Sequence, residues 1–191
     1  MGKHIFIVNG KPRAGKDTFA DILNEFIGVY KVSSIDRIKD IATMCGWRGG
    51  KSEKDRKFLS DLKLLTSEYS DFAFNDLKTH VRLFNKDHKS RTEVMLIDIR
   101  EPEEIERAKQ EFGAKTIYIR NDNVPAVTSN MADANVENYK YDFIIDNSGT
   151  IADLTYEVMQ FYVGVLGGVY IEEPNEVVNA RGLATVGNKN S

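Results

Sequence analysis

One stretch near the start of the chain decides the fold, and it reads Gly10-Lys11-Pro12-Arg13-Ala14-Gly15-Lys16-Asp17-Thr18. It matches the spacing G-x-x-x-x-G-K, with an aspartate after the lysine where serine or threonine is usual. The apolar run 4–9 precedes it, and apolar side chains at helical spacing follow it as far as Ile27. The pattern therefore predicts a buried strand, a glycine-containing turn and a helix, in that order.

This turn predicts a phosphate-binding site. Glycines let the backbone wrap closely around an anion, and the N–H groups from Ala14 to Thr18 would point inward, where the start of the helix adds positive potential. Lys16 would reach the β- and γ-phosphates of a nucleotide. Asp17 has two open roles, as a ligand of Mg²⁺ or as a charge that complements the helix dipole. The predicted nucleotide-binding residues of the turn are Gly10, Arg13, Ala14, Gly15, Lys16, Asp17 and Thr18.

The rest of the chain alternates short apolar strands with helices. Further strands are predicted near residues 29–32, 94–98, 116–119 and 143–145, and helices near 36, over 51–84 with a break at 70–71, over 102–113, and over 150–162. Within 51–84, Phe58, Leu59, Leu62 and Leu65 form an apolar stripe. The alternation predicts one α/β domain over 1–172, with five parallel strands in a three-layer fold, and a polar tail over 173–191. Together with the loop 10–18, this arrangement is typical of a P-loop NTPase.

A carboxylate and an arginine follow the third predicted strand. Asp98 ends that strand at the Walker B position, where a carboxylate orients Mg²⁺ and its water, and Arg100 lies two residues further on. An alternative role is structural, with Asp98 capping the helix at Pro102 and Arg100 pairing with Glu104. With the phosphate loop at the same sheet edge, we predict Lys16, Asp98 and Arg100 as catalytic residues and Asp17 with Asp98 as ligands of Mg²⁺.

The composition of the chain limits the classes of molecule that it is expected to bind. The chain of 191 residues carries a net charge of −3, so it has no global attraction for nucleic acid or for an anionic membrane. The apolar run 161–171 is too short to span a bilayer, which needs about 20 residues. A single cysteine, Cys45, allows no internal disulfide and fits a reducing cytoplasm. We therefore expect a cytoplasmic protein that binds small molecules, and the sequence leaves a homodimer open.

Four stretches resemble one family. The loop 10–18, the segment 33–39, the run Asp98-Ile99-Arg100-Glu101-Pro102-Glu103-Glu104 and the stretch 141–150 are similar to phage-type deoxynucleoside monophosphate kinases. These belong to the nucleoside monophosphate kinase-like P-loop proteins and are related to phosphomevalonate and dephospho-CoA kinases. The resemblance runs from Ile5 to about Leu154.

The resemblance implies an ATP- and Mg²⁺-dependent transfer of the γ-phosphate to a nucleoside or deoxynucleoside monophosphate. It also implies acceptor-binding helices over about 36–84 and a lid over about 121–140, although residues 121–139 contain no arginine. Taken alone, an arginine such as Arg56 is more often a solvated helix residue than a phosphate ligand. Two alternatives remain: another phosphorylated acceptor, of the phosphomevalonate or dephospho-CoA type, and a nucleotide-binding module without transfer activity. The implied acceptor-binding residues are Ser34, Asp36, Lys39, Arg56 and Arg100, and further nucleotide-binding residues are Arg120, Asn147 and Gly149.

Overall fold

The computed structural model describes residues 2–125, 136 and 139–169. The predicted tail and residues 126–135, 137 and 138 of the predicted lid lie outside this part of the chain. The strands are His4–Asn9 (β1), Gly28–Ser33 (β2), Thr92–Asp98 (β3), Lys115–Arg120 (β4) and Phe143–Asp146 (β5). The helices are Lys16–Phe26 (α1), Asp36–Met44 (α2), Glu53–Ser70 (α3), Phe72–Lys86 (α4), Pro102–Phe112 (α5) and Ile151–Leu166 (α6).

The five strands form one sheet in the order β2-β3-β1-β4-β5, and every neighbouring pair is parallel. The central strand β1 pairs with both β3 and β4, so that Ile7 lies opposite Ile97 on one side and Thr116 on the other. The structure confirms the predicted α/β class with five parallel strands. Because all strands are parallel, their carboxyl ends meet at one edge of the sheet, where ligands bind in open α/β folds.

Helices cover both faces of the sheet and create two hydrophobic cores. Successive residues of β1 point to opposite faces, so Phe6 and Val8 enter one core and Ile7 enters the other. The first core lies under α1 and α6, where Phe161 makes edge-to-face contacts with Phe6 and Phe19. The second core lies under α4 and α5. This arrangement holds the strand ends and the start of α1 rigidly in place.

Helix ends follow the sequence signals closely. Ser52 with Asp55 and Thr150 with Asp153 form capping boxes at the starts of α3 and α6, as their spacing predicts. The helix α6 extends beyond the predicted end near residue 162, because apolar residues continue to the buried Leu166 and Gly167 then adopts φ 69. Within the described ranges, no helix has both the length and the apolar composition that crossing a membrane requires.

The predicted apolar stripe of α3 is not part of either core. None of the residues of α3, all of which the structure describes, is buried, and Leu65 is 64% exposed. The reason is position, because α3 packs against α2 and α4 instead of lying on the sheet. An amphipathic pattern predicts a helix, but burial also needs a surface for the apolar face to cover.

Candidate active site

The loop between β1 and α1 has the backbone that a phosphate cradle requires. Gly10 has φ 156, and a Cβ there would lie 2.7 Å from the carbonyl oxygen of Ile119. Gly15 has φ 97, and Arg13 adopts φ 69 between them. Glycine meets both requirements because it has no Cβ and tolerates positive φ. The spacing of the two glycines thus has a direct structural cause.

Lys16 opens α1 and bends back over the loop. Its Nζ donates a hydrogen bond to the carbonyl oxygen of Gly10, at 3.0 Å. Gly15 is the N-cap residue and brings no side chain to cap the helix, and the start of a helix presents N–H groups that suit an anion. The loop and the lysine together form a concave, positively polarised turn at the sheet edge.

Two asparagines brace this loop. The Nδ2 of Asn147, after β5, donates to the carbonyl oxygen of Ala14 at 2.8 Å. The buried side chain of Asn9 accepts from the N–H of Gly10 at 2.8 Å and donates to the carbonyl oxygen of Arg100 at 3.3 Å. Asn147 therefore contacts the loop itself, and Asn9 joins the loop to the chain that follows β3.

The carboxylates Asp17 and Asp98 lie on either side of one ammonium group. Lys31, in the outer strand β2, bonds to Asp17 Oδ1 and lies 4.0 Å from Asp98 Oδ2. Burial raises the pKa of the Asp98 carboxyl, and the charges of Lys16, Lys31 and Arg100 limit that rise. The two carboxylates predicted to bind Mg²⁺ thus share a cationic neighbour.

The segment after β2 lies beside the end of β3. Ser34 is buried, and its N–H donates to the carbonyl oxygen of Asp98 at 3.2 Å. Asp36 accepts from the N–H of Ser33 at 2.8 Å and from Lys39 Nζ at 3.1 Å. Ser34, Asp36 and Lys39 are therefore brought to the same sheet edge as Asp98.

Lys63 of α3 joins this cluster. Its Nζ lies 2.8 Å from Glu104, 3.3 Å from Glu101 and 3.5 Å from Ser34 Oγ. The side chain is only 16% exposed, so these contacts are largely shielded from water. Burial raises the pKa of Glu104, and Lys63 opposes that shift. Glu104 thus pairs with Lys63, and the N-cap of α5 is Glu101 instead of Asp98, which disagrees with the structural role considered for Asp98.

The remaining predicted residues lie on α1, on α3 and around β5. Arg56 is exposed on α3, and Thr18 is partly buried in the first turn of α1. Arg120 pairs with Asp146, and hydrogen bonds from Ser148 and Arg120 lower the pKa of Asp146 to about 2. A Cβ at Gly149 would meet Asp153, the capping residue of α6, at 2.5 Å.

A magnesium site here would need ligands from the substrate. Across the described residues, no group of three or more His, Cys, Asp and Glu side chains is arranged to hold a metal ion. Mg²⁺ commonly binds to one or two carboxylates, with phosphates and water completing an octahedron. Asp17 and Asp98 fit that requirement, because they flank the cradle and already face one cation.

Sequence reasoning missed Asn9, Lys31 and Lys63. Lys31 carried a signal, since it is the only charged residue in residues 28–33. A charge within a short β-rich run is unusual enough to suggest a partner. Lys63 had no such signal in the sequence, because lysines are common in helices of mixed charge.

Comparisons with known proteins show the fold. No protein-family model matches the chain, and no curated protein matches it. The protein TT1252 from Thermus thermophilus is 14% identical, with a TM-score of 0.50, over 86% of this chain and 99% of its own. A shikimate kinase from Acinetobacter baumannii, solved in complex with shikimate, is 14% identical, with a TM-score of 0.47, over 86% and 94%. The tunicamycin resistance protein of Deinococcus radiodurans is 12% identical, with a TM-score of 0.49, over 87% and 97%.

Proposed function

We propose that the chain is an ATP-dependent phosphotransferase that passes the γ-phosphate of ATP to a small phosphorylated acceptor, a nucleoside or deoxynucleoside monophosphate. One observation carries the proposal. The phosphate loop at residues 10–18, with its two positive-φ glycines, stands beside Asp98 and the polar segment 33–39 at a single sheet edge. A nucleotide cradle and an anion-binding segment next to each other suit transfer between two phosphates.

ATP would bind with its phosphates on the N–H groups at the start of α1. Lys16 would then leave the carbonyl oxygen of Gly10 and contact the β- and γ-phosphates. Asp17 and Asp98 would hold Mg²⁺, which neutralises charge on the β- and γ-phosphates when it is bound. Arg120, Asn147 and Gly149 are proposed to border the bound nucleotide, with Asn147 also holding the loop.

The acceptor phosphate would lie between α2 and the residues that follow β3. Lys39 and Arg100 would hold it, and Asp36 would orient the rest of the acceptor, with Ser34 and Arg56 nearby in the proposed site. A phosphate oxygen attacks the γ-phosphorus in line as the bond to the β–γ bridging oxygen breaks, and ADP leaves. The acceptor is already anionic, so the reaction needs no strong base, and positioning and charge neutralisation supply the rate.

The test is ADP release from Mg-ATP with a panel of ribo- and deoxynucleoside monophosphates, and with phosphomevalonate and dephospho-CoA as a second set. We expect one or a few monophosphates to stimulate release, and Lys16→Ala to lower that rate by about 10²–10³-fold. Lys57→Ala removes the same charge from an exposed pair with Asp61 and serves as the matched control. Stimulation by phosphomevalonate or dephospho-CoA alone would contradict a nucleoside monophosphate as the acceptor. ATP binding without stimulation by any acceptor would contradict phosphotransferase activity.

A further inference from the structure

The ammonium group of Lys31 occupies an unusual position in this site. It extends from the outer strand β2 toward α1 and contacts Asp17, in the first turn of that helix, while lying 4.0 Å from Asp98 at the end of β3. Three separate elements therefore bring their charges to one point. The lysine is 34% exposed and Asp98 is 24% exposed, so the ammonium lies partly within the fold.

Lys31 neutralises negative charge at this site. Asp17 stands where phosphate loops usually carry a hydroxyl, and a carboxylate there repels the phosphates that the loop would bind. Asp98 is largely buried, and the charges of Lys16, Lys31 and Arg100 offset the unfavourable burial of its carboxylate. Lys31 also contacts Asp17, so its ammonium acts on both carboxylates and occupies the location in which a divalent cation would bind to the same two groups.

We infer that Lys31 is a built-in substitute for Mg²⁺: it neutralises Asp17 and Asp98 in the nucleotide-free protein and is displaced when Mg²⁺ arrives with the nucleotide. This inference rests on the proposed binding of Mg-ATP at the loop. Its consequence is an order of binding. The free protein keeps divalent cations out of the site, because a divalent cation must compete with the ammonium of Lys31. Nucleotide phosphates add ligands for the cation and so favour its binding over that of the ammonium.

The inference is tested by metal binding without nucleotide, so that no catalytic activity is involved. Mn²⁺ takes the same oxygen ligands as Mg²⁺ and its free form is measured directly by electron paramagnetic resonance. The proteins to compare are the wild type, Lys31→Gln, the double variant Lys31→Gln with Asp17→Asn, and Lys57→Gln as the control that removes a lysine from an exposed pair on α3.

We expect Lys31→Gln to bind Mn²⁺ about tenfold more tightly than the wild type, which is the scale of one unit charge acting on a divalent ion at a partly exposed site. Lys57→Gln should bind Mn²⁺ as the wild type does. The double variant should lose the gain, because one of the two carboxylates has gone. Circular dichroism of each variant confirms that the fold is retained.

Two results would overturn the inference. One is equal Mn²⁺ affinity in the wild type and in folded Lys31→Gln. The other is an undiminished gain in the double variant, since the ion would then bind elsewhere. Failure of the phosphotransferase proposal looks different, because ADP release would be absent for every acceptor while the gain in Mn²⁺ affinity persisted.

Discussion

The sequence predicts both α1 and α3 from apolar residues at helical spacing, but the two helices are held in different ways. In α1, four residues are buried, among them Phe19 and Leu23, because the helix lies on the sheet. In α3, which is longer and fully described, no residue is buried, and Lys63 provides its contacts to Glu101 and Glu104. The comparison shows that α1 is held by buried apolar side chains, whereas α3 has no buried side chain and adds ion pairs from Lys63 to its packing against α2 and α4.

The largest expected effect tests apolar packing in the two helices. Phe19→Ala should lower the free energy of unfolding by about 3–5 kcal/mol, because it leaves a cavity in the core under α1 and α6. Leu65→Ala should change it by less than about 0.5 kcal/mol, because that side chain already faces water. Urea unfolding measures both, and equal losses would mean that α3 is packed as firmly as α1.

A second prediction concerns the backbone of the loop. Gly10→Ala should lower the free energy of unfolding by about 1–3 kcal/mol and weaken ATP binding, because the new Cβ meets the carbonyl oxygen of Ile119. Gly113→Ala is the control, since its φ of 63 is also positive but a Cβ there would meet nothing within 4 Å. If Gly10→Ala lowers the free energy of unfolding no more than Gly113→Ala does, the contact with Ile119 is not the reason that position 10 needs glycine.

The third prediction tests attachment of α3 by charge. Lys63→Met should lower the free energy of unfolding by about 1–2 kcal/mol, because Glu101 and Glu104 lose a shielded partner. It should raise the KM for the acceptor while leaving ATP affinity unchanged. Lys57→Met breaks only an exposed pair and should cost less than about 0.5 kcal/mol. If Lys63→Met lowered ATP affinity as much as acceptor affinity, the contacts of α3 would not act on the acceptor site alone.

The smallest expected effect is a dependence on pH at the loop side of the sheet edge. The pKa of Asp146 is about 2 in the folded protein, below the value of about 3.9 in the unfolded chain. Asp146 therefore stabilises the fold above about pH 4, and this stabilisation is lost as the pH falls through about 2. Asp146→Asn should remove that part of the acid sensitivity. The exposed Asp122→Asn controls for loss of a carboxylate, and chemical unfolding from about pH 5 down to about pH 2.5 measures both. An unchanged acid profile in Asp146→Asn would show that its contacts with Ser148 and Arg120 contribute nothing.

Local signals in the sequence predicted much of this molecule. The spacing of Gly10, Gly15 and Lys16 predicted the strand, turn and helix, because the backbone at the two glycine positions favours glycine. Capping pairs marked the starts of α3 and α6 for a similar local reason. These features depend on residues a few positions apart, which is the range over which a sequence pattern is informative.

Features that depend on distant residues escaped prediction. The exposure of Leu65 follows from what lies beside α3, and the contacts of Lys31 and Lys63 join elements separated by many residues. Pairing of charges across a fold has no period in the sequence. The family resemblance supplied Asp36, Lys39 and Arg100 as proposed acceptor ligands, but it supplied no equivalent of Lys31.

The position of Lys31 also bears on how the protein behaves when it is concentrated. Among the described residues, β2 is an outer strand of the sheet and pairs with β3 on one side. Lys31 is the only charge in its sequence Gly-Val-Tyr-Lys-Val-Ser, and a charged side chain within an outer strand opposes edge-to-edge association between molecules. An apolar replacement would leave a run of apolar, β-forming side chains at that edge, so variants at this position keep the protein dispersed only if the new side chain is polar.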